Sequence, residues 1–194
     1  MSRKIVVHEQ RLILDDFFRI EEARLQFERY DGSLSPEVRR LSFDRGDCVG
    51  VLLTHRTRET VILTEQFRYP SHTRGAGWLV EVVAGAVDLG EDPAEAARRE
   101  TLEETGYRVE NVTLITVFFP SPGGSTERVF LFHAEVEDTD RVERGGGVDH
   151  EDEDIRVIEW SREEILERLE KGEVLDGKTL IALLWLRDKW RSQG

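Results

Sequence analysis

The sequence predicts an α+β fold built in layers, with a small antiparallel β-sheet at its amino end. Three observations lead there: alternating runs before residue 45, apolar strand-length runs from about Asp47 onward, and three helical segments set apart among those strands. At 194 residues the chain is long enough for one full domain plus a small appendage, and it can bury a core without disulfide staples. We read residues 1–45 as the appendage and 46–194 as the main domain.

Ile5 to Leu14 and Phe18 to Tyr30 alternate enough to read as strands joined by a turn near Asp15-Asp16. The polar turn Asp31-Gly32-Ser33 follows, and Val38 to Phe43 supplies a third strand. A sheet this thin must pack on another surface, either the main domain or a second subunit. From Asp47 the buried runs VGVLLTH, TVILTEQFR and WLVEVVAG lead to the first helix. Val112 to Phe119, the loop Pro120 to Ser125 and the strand Arg128 to Val136 come next. A glycine- and acid-rich loop, Glu137 to Asp154, reads as mobile, with Gly145 to Gly147 as its hinge. The strand Ile155 to Trp160 ends at Ser161, an N-cap with Glu164 at the capping-box position, and the helix it opens ends near Gly172. In the last helix, about Lys178 to Arg191, Leu180, Leu183, Leu184 and Arg187 recur at helical spacing.

The first helix carries the chemistry. Asp92 is its N-cap, Pro93 its first residue, Glu95 the capping-box partner and Gly106 its left-handed stop, so residues 93–105 are helical. At 100° per residue, Glu100, Glu103 and Glu104 share an arc of about 100°. Pro93, Ala96 and Ala97 lie beside them, and no Lys or Arg shares the arc. Like charges at i and i+4 repel by roughly 0.2 to 0.5 kcal/mol, and a bound divalent cation reverses that sign. Oxygen-only ligands suit a hard ion, Mg²⁺ or Mn²⁺, which bridges carboxylates to phosphates. Arg99, four residues before Glu103, is spaced to hold that carboxylate. The bland alternative is a solvated acidic face.

Composition narrows the partners. A net charge of −13 argues against a nucleic-acid backbone, since phosphate polymers are held by basic stripes. A small anionic substrate remains open, because metal ions on the carboxylates invert the local field. The single cysteine, Cys48, lies in an apolar strand run, reads as core, excludes an intrachain disulfide and fits a reducing cytoplasm. MSRKIVVHEQR has only a three-residue apolar run, and no segment approaches the roughly 18 apolar residues of a membrane helix. The expectation is a cytoplasmic protein with no membrane partner. The histidines (His8, His55, His72, His133, His150) are scattered and read as structural or exposed. The run Glu151 to Asp154 lacks the glycine and spacing of an EF-hand loop.

The segment GAVDLGEDPAEAARRETLEETGY resembles the Nudix hydrolase box, G-x5-E-x7-R-E-U-x-E-E-x-G-U, at Gly85, Glu91, Arg99, Glu100, Glu103, Glu104, Gly106 and Tyr107. Thr101 departs, standing where the box has an aliphatic residue. The resemblance implies the α/β/α Nudix sandwich and extends over nearly the whole chain, toward the branch holding ADP-ribose pyrophosphatase and GDP-mannose hydrolase. Gln66-Phe67-Arg68, Ala84-Gly85, Ser121-Pro122-Gly123-Gly124 with Glu127, Gly145 to Val148 with the acidic run, and Asp176-Gly177-Lys178-Thr179 carry it. HEDEDIRV with SREE looks more like the former enzyme; GGGV and DGKT look more like the latter.

The resemblance implies Mg²⁺-dependent hydrolysis of a nucleoside diphosphate sugar, ADP-ribose or GDP-mannose, to a nucleoside monophosphate and a sugar phosphate. It makes Glu100, Glu104 and the Ala84 carbonyl metal ligands, with Glu103 either ligating or oriented by Arg99. The base is a loop glutamate, Glu151 first, with Glu153 as an extra ligand. Aligned on Asp154-Ile155, this loop has two residues more than GDP-mannose hydrolase. Arg68 forks to the diphosphate, Glu127 and Lys178 address sugar or terminal phosphate, and Arg39, Arg40 and Phe17 are further substrate contacts. Phe17 replaces a tyrosine and Leu41 an acidic contact, which weakens strict guanine or mannose specificity. The branch also implies a homodimer through the amino-terminal strands. Alternatives are another linked diphosphate such as a dinucleotide, a non-catalytic nucleotide-sugar sensor, or an isomerase, which would need a cysteine near the metal.

Overall fold

Side-chain alternation decides the main sheet. In the structure, a computed structural model describing residues 3–148 and 154–193, strand β4 (Cys48–His55) sends Val49, Val51 and Leu53 to one face and Leu52 to the other. Strand β5 (Thr60–Phe67) sends Ile62 to the first face and Val61 and Leu63 to the second. A strand with both faces apolar must be covered twice, and this sheet is. Helix α2 (Pro93–Thr105) puts Ala96 and Ala97 into the first core. Helices α3 (Arg162–Lys171) and α4 (Gly177–Gln193) close the second, through Ile165, Ala182, Leu183 and Leu186. The result is an α/β/α sandwich.

Two compact units make up the chain, Met1–Asp47 with Phe119–Arg128, and Cys48–Phe118 with Val129–Gly194. In the first, β1 (Ile5–Asp15), β2 (Arg19–Phe27) and β3 (Val38–Asp44) form an antiparallel sheet in chain order. Its middle strand carries Glu22, only 2% exposed, whose carboxylate accepts from Arg11 Nη2 at 2.7 Å on β1 and from Arg39 on β3. One buried charge thus ties three strands. The loop after Phe119 joins this unit through backbone bonds from Phe43 N to Gly124 O (2.8 Å) and from Thr126 N to Phe43 O (3.0 Å).

In the second unit the strand path is β10-β5-β4-β9-β8, with β8 (Thr113–Phe118), β9 (Val129–Val136) and β10 (Arg156–Ser161). Only the β4–β9 pair is parallel among the described pairs of this sheet. β4 and β5 pair only near Leu53 to His55 and then diverge. The run WLVEVVAG, read from sequence as one strand, fills the gap as two: β6 (Trp78–Glu81) on β5, and β7 (Val83–Ala86) on β4. The change of partner falls at Val82, whose N–H leaves the ladder for Thr179 Oγ1 on α4, 2.8 Å away. A one-turn helix, α1 (Tyr69–His72), and a 3-10 turn at Asp138–Asp140 had no sequence expectation.

Helix α2 has the expected bounds, with Asp92 accepting from Ala94 N at 2.8 Å and Gly106 at φ 76°. Its capping box is absent: Glu95 pairs instead with Arg98, 2.7 Å away, a nearer opposite charge. The box on α3 is complete, Glu164 N to Ser161 Oγ at 3.3 Å and Ser161 N to Glu164 Oε2 at 2.8 Å. Gly145 to Gly147, read as a hinge, is a docked clamp. Gly146 N donates to Glu104 O (2.8 Å) and Gly147 N to Glu103 O (3.1 Å), satisfying carbonyls that the end of a helix leaves open. Among the described residues no helix is long and apolar enough to cross a membrane.

Thr179 is fully buried and also donates to Asp176 Oδ2 at 2.7 Å. Thr179→Val strands the Val82 N–H, and we expect a loss of about 1 to 3 kcal/mol in urea unfolding, with Thr179→Ser losing less. Equal stability of Val and Thr variants would refute the strand-switch role.

Candidate active site

Strand β7 carries Gly85, paired with Val49 of β4 where the sequence predicts a tight turn, and α2 carries the carboxylates that meet it. Gly85 lies directly under Glu100: any Cβ there would overlap the Glu100 carboxyl group, so only glycine lets that side chain sit against the strand. Arg99 organises the rest. Its Nε and Nη2 reach the two oxygens of Glu91 at 3.1 Å each, Nη1 reaches Glu100 Oε1 at 2.7 Å and Glu103 Oε2 at 3.2 Å, and Nη2 reaches the Ala86 carbonyl at 3.1 Å. Hydrogen bonds donated to Glu91 and then to Glu100 hold the guanidinium more firmly charged than usual, and Arg99 in turn holds the Glu91 carboxyl below the usual range. Glu104 is 1% exposed. Thr101 is fully buried, its hydroxyl donating to Ala97 O at 2.7 Å, which satisfies the polar group placed at an aliphatic position.

Glu91, Glu100, Glu103 and Arg99 therefore share one place, where α2 meets Gly85 of β7; Ala84 precedes Gly85 on β7, and Glu104 follows Glu103 on α2. Among the described residues no three acidic, histidine or cysteine side chains stand gathered as a finished cation cage, and Arg99 occupies two of the carboxylates. The donor chemistry nonetheless fits a hard divalent cation. The carboxylates and the strand carbonyls offer only oxygen donors, and Gly85 leaves room for Glu100 against the strand.

A second cluster draws in two more sequence-predicted residues. Glu81, at the end of β6 and 3% exposed, accepts from Arg68 Nε at 2.8 Å and from Lys178 Nζ at 3.1 Å. Lys178 also reaches Asp176 Oδ1 at 2.8 Å. Sequence reasoning passed over Glu81. The signal was present, since a glutamate inside the apolar run WLVEVV cannot be buried without a cationic partner.

Phe17, Arg39 and Glu127 lie in the amino-terminal unit. Phe17 is 88% exposed, with its ring edge-on to Phe18. Arg39 is engaged by Glu22, Arg40 donates to Arg39 O at 3.0 Å, and Glu127 lies 3.7 Å from Arg45. Glu151 and Glu153, the expected base and extra ligand, fall outside the described residues, as does His150. Cys48 is buried in the sheet, as are His55 and His133.

Charge pairing at the start of α4 makes stability depend on pH. Burial alone would raise the Asp176 carboxyl, but the charge and hydrogen bond of Lys178 and the bonds from Thr179 outweigh it, and the group sits below its usual range. Burial alone would lower Lys178, but Glu81 and Asp176 outweigh it and raise the ammonium above its usual range. A depressed acid stabilises above its unfolded pKa, about 3.9, and that contribution is lost as pH falls through the folded value. A raised lysine stabilises below its unfolded pKa, about 10.4, and loses that contribution as pH climbs through the folded value. We expect Asp176→Asn to be less stable than the parent at pH 7 in urea unfolding and the gap to narrow below about pH 4. A gap of constant size down to pH 2 would remove the pairing from the account.

Comparison with known proteins bears on this site. The NUDIX domain family model matches residues 44–183. The chain is 40% identical over 185 residues to GDP-mannose pyrophosphatase of Pectobacterium atrosepticum, covering 94% of each protein. It is 37% identical over 188 residues to the Citrobacter koseri enzyme of that name, covering 96% of each. Against the Escherichia coli enzyme it is 36% identical over 189 residues, covering 96% of this chain and 97% of the other. A solved structure described as that of an ADP compounds hydrolase superposes with TM-score 0.72 over 98% of this chain and 96% of that one, and at 19% identity this likeness speaks for the fold alone. Hydrolases of this family generally need a divalent metal ion. With the family match running from strand β3 into helix α4 and the box residues gathered around Gly85 and Arg99, the chain belongs to the Nudix hydrolase family.

Proposed function

We propose that this Nudix hydrolase is a Mg²⁺-dependent nucleoside-diphosphate-sugar pyrophosphatase with GDP-mannose as its foremost substrate, releasing GMP and mannose phosphate in the cytoplasm. The observation that carries the reaction class is the Arg99-centred set of carboxylates beside Gly85. The choice of substrate is supported by relatives named GDP-mannose pyrophosphatase at 36 to 40% identity over nearly the whole chain.

Cleaving a diphosphate requires neutralised phosphoryl oxygens, an aligned water and a base. A divalent cation, when bound, supplies the charge and lowers the pKa of the attacking water. Glu100, Glu104 and the Ala84 carbonyl would hold it, with Glu153 as a further ligand. Mg²⁺ is the expected ion and Mn²⁺ a substitute, because every donor is a hard oxygen. Arg99 keeps Glu103 and Glu100 in one orientation. Arg68 and Lys178 address the phosphates, while Phe17, Arg39 and Glu127 contribute to the nucleoside and sugar ends. Glu151 takes the proton from water. ADP-ribose is the second reading, favoured by the HEDEDIRV and SREE segments.

The amino-terminal sheet exposes Ile5, Val7, Leu12, Ile13 and Leu14 on β1. We infer a homodimer through these strands, since so many exposed aliphatic groups on one strand favour a protein partner.

Purified protein with Mg²⁺ and an equimolar mixture of GDP-mannose and ADP-ribose is expected to release mainly GMP by chromatography. Predominant AMP would transfer the assignment to ADP-ribose, and neither product would sink both. Glu104→Gln and Glu151→Gln are each expected to lower kcat about 10² to 10⁴-fold; near-normal turnover in either would displace that residue from its role. Light scattering on the eluted protein is expected to give twice the chain mass of 22.4 kDa, and a monomer would end the dimer proposal.

A further inference from the structure

Three elements distant in sequence bring Arg68, Glu81 and Lys178 together: the residue after β5, the last residue of β6 and the first turn of α4. Each oxygen of Glu81 takes one cation, Oε2 from Arg68 Nε and Oε1 from Lys178 Nζ. Exposure runs in one direction. The Glu81 side chain is 4% exposed, against 17% for Lys178 and 38% for Arg68, so the carboxylate lies beneath and the cations reach outward. Asp176 grips the same ammonium at 2.8 Å, which keeps it from swinging away. Stability alone does not call for this arrangement. A buried ion pair is often no better than well-packed apolar residues, and Glu81 sits among Val80, Val82 and Val83, where an apolar side chain would suit the strand.

We propose that Glu81 is a positioning residue for diphosphate recognition, its buried carboxylate holding Arg68 and Lys178 side by side as one cationic face for the substrate's phosphates. This rests on the pyrophosphatase reading above, and it assigns Glu81 no contact with substrate. The carboxylate acts only through the two cations. Its removal therefore matters only while they are present.

The test is a mutant cycle comprising wild type, Glu81→Gln, the double variant Arg68→Ala/Lys178→Ala, and all three changes together. Each protein is measured for kcat/KM on GDP-mannose with Mg²⁺, for GDP binding by calorimetry, and for Tm. Glu81→Gln is expected to weaken both kcat/KM and GDP affinity about tenfold, and to have almost no further effect in the double-variant background. A merely structural role would lower Tm and carry its full loss into that background, which overturns the proposal. So does GDP binding that Glu81→Gln leaves unchanged, or that wild type lacks. Coupled GDP binding in a wild type that hydrolyses no nucleotide sugar would defeat the pyrophosphatase reading and leave the positioning role standing. Should Glu81→Gln not fold, Glu81→Asp takes its place in the cycle, expected to keep the fold and lose part of the affinity; failure of both to fold makes the residue structural and ends the proposal.

Discussion

The divergence of β4 and β5 is the constraint from which the site follows. Paired only at Leu53 to His55, the two strands leave a gap that the 78–86 run fills by changing partner at Val82. One half of that run delivers Glu81 beneath Arg68 and Lys178, and the other delivers Gly85 beneath Glu100. The cost of the switch is one N–H outside the ladder, and Thr179 offsets it.

Electrostatics then explains why so acidic a helix face stays folded. Arg99 sits against Glu91, Glu100 and Glu103 together, so repulsion along α2 is offset by a cation from the same helix. The arrangement also sets a competition. A divalent ion held at Glu100, as proposed, would draw on a carboxylate that the guanidinium already holds, while Arg99 keeps its bonds to Glu91 and the Ala86 carbonyl. That second anchorage is a physical reason for a glutamate eight residues before the arginine.

Local chemistry was legible in the sequence wherever it was local in space. Asp92, Gly106, Ser161 with Glu164, and Gly172 set helix ends through contacts within a few residues, and the continuous apolar runs of β4 and β5 marked buried strands, which the structure covers on both faces. The grouping of Glu100, Glu103 and Glu104 followed from helical period alone. Contacts between distant segments were not legible. Glu95 had two available partners, and Arg98 one turn away won over the backbone. Glu81 meets Lys178 across 97 positions, and the loop after Phe119 joins β3 through Gly124, neither of which leaves a periodic trace. The glycines at 145–147 signalled unusual backbone, but not whether it would bend freely or dock.

That docking has a consequence for how such proteins diversify. Gly146 donates to the end of α2 and also accepts from Ile155 N at 3.2 Å, so a single residue closes the base of the intervening segment. Lengthening a loop of this size by two residues costs only about 0.2 kcal/mol in closure entropy. A change of length in the intervening segment therefore meets the frame at its base only through the Gly146 and Ile155 backbone.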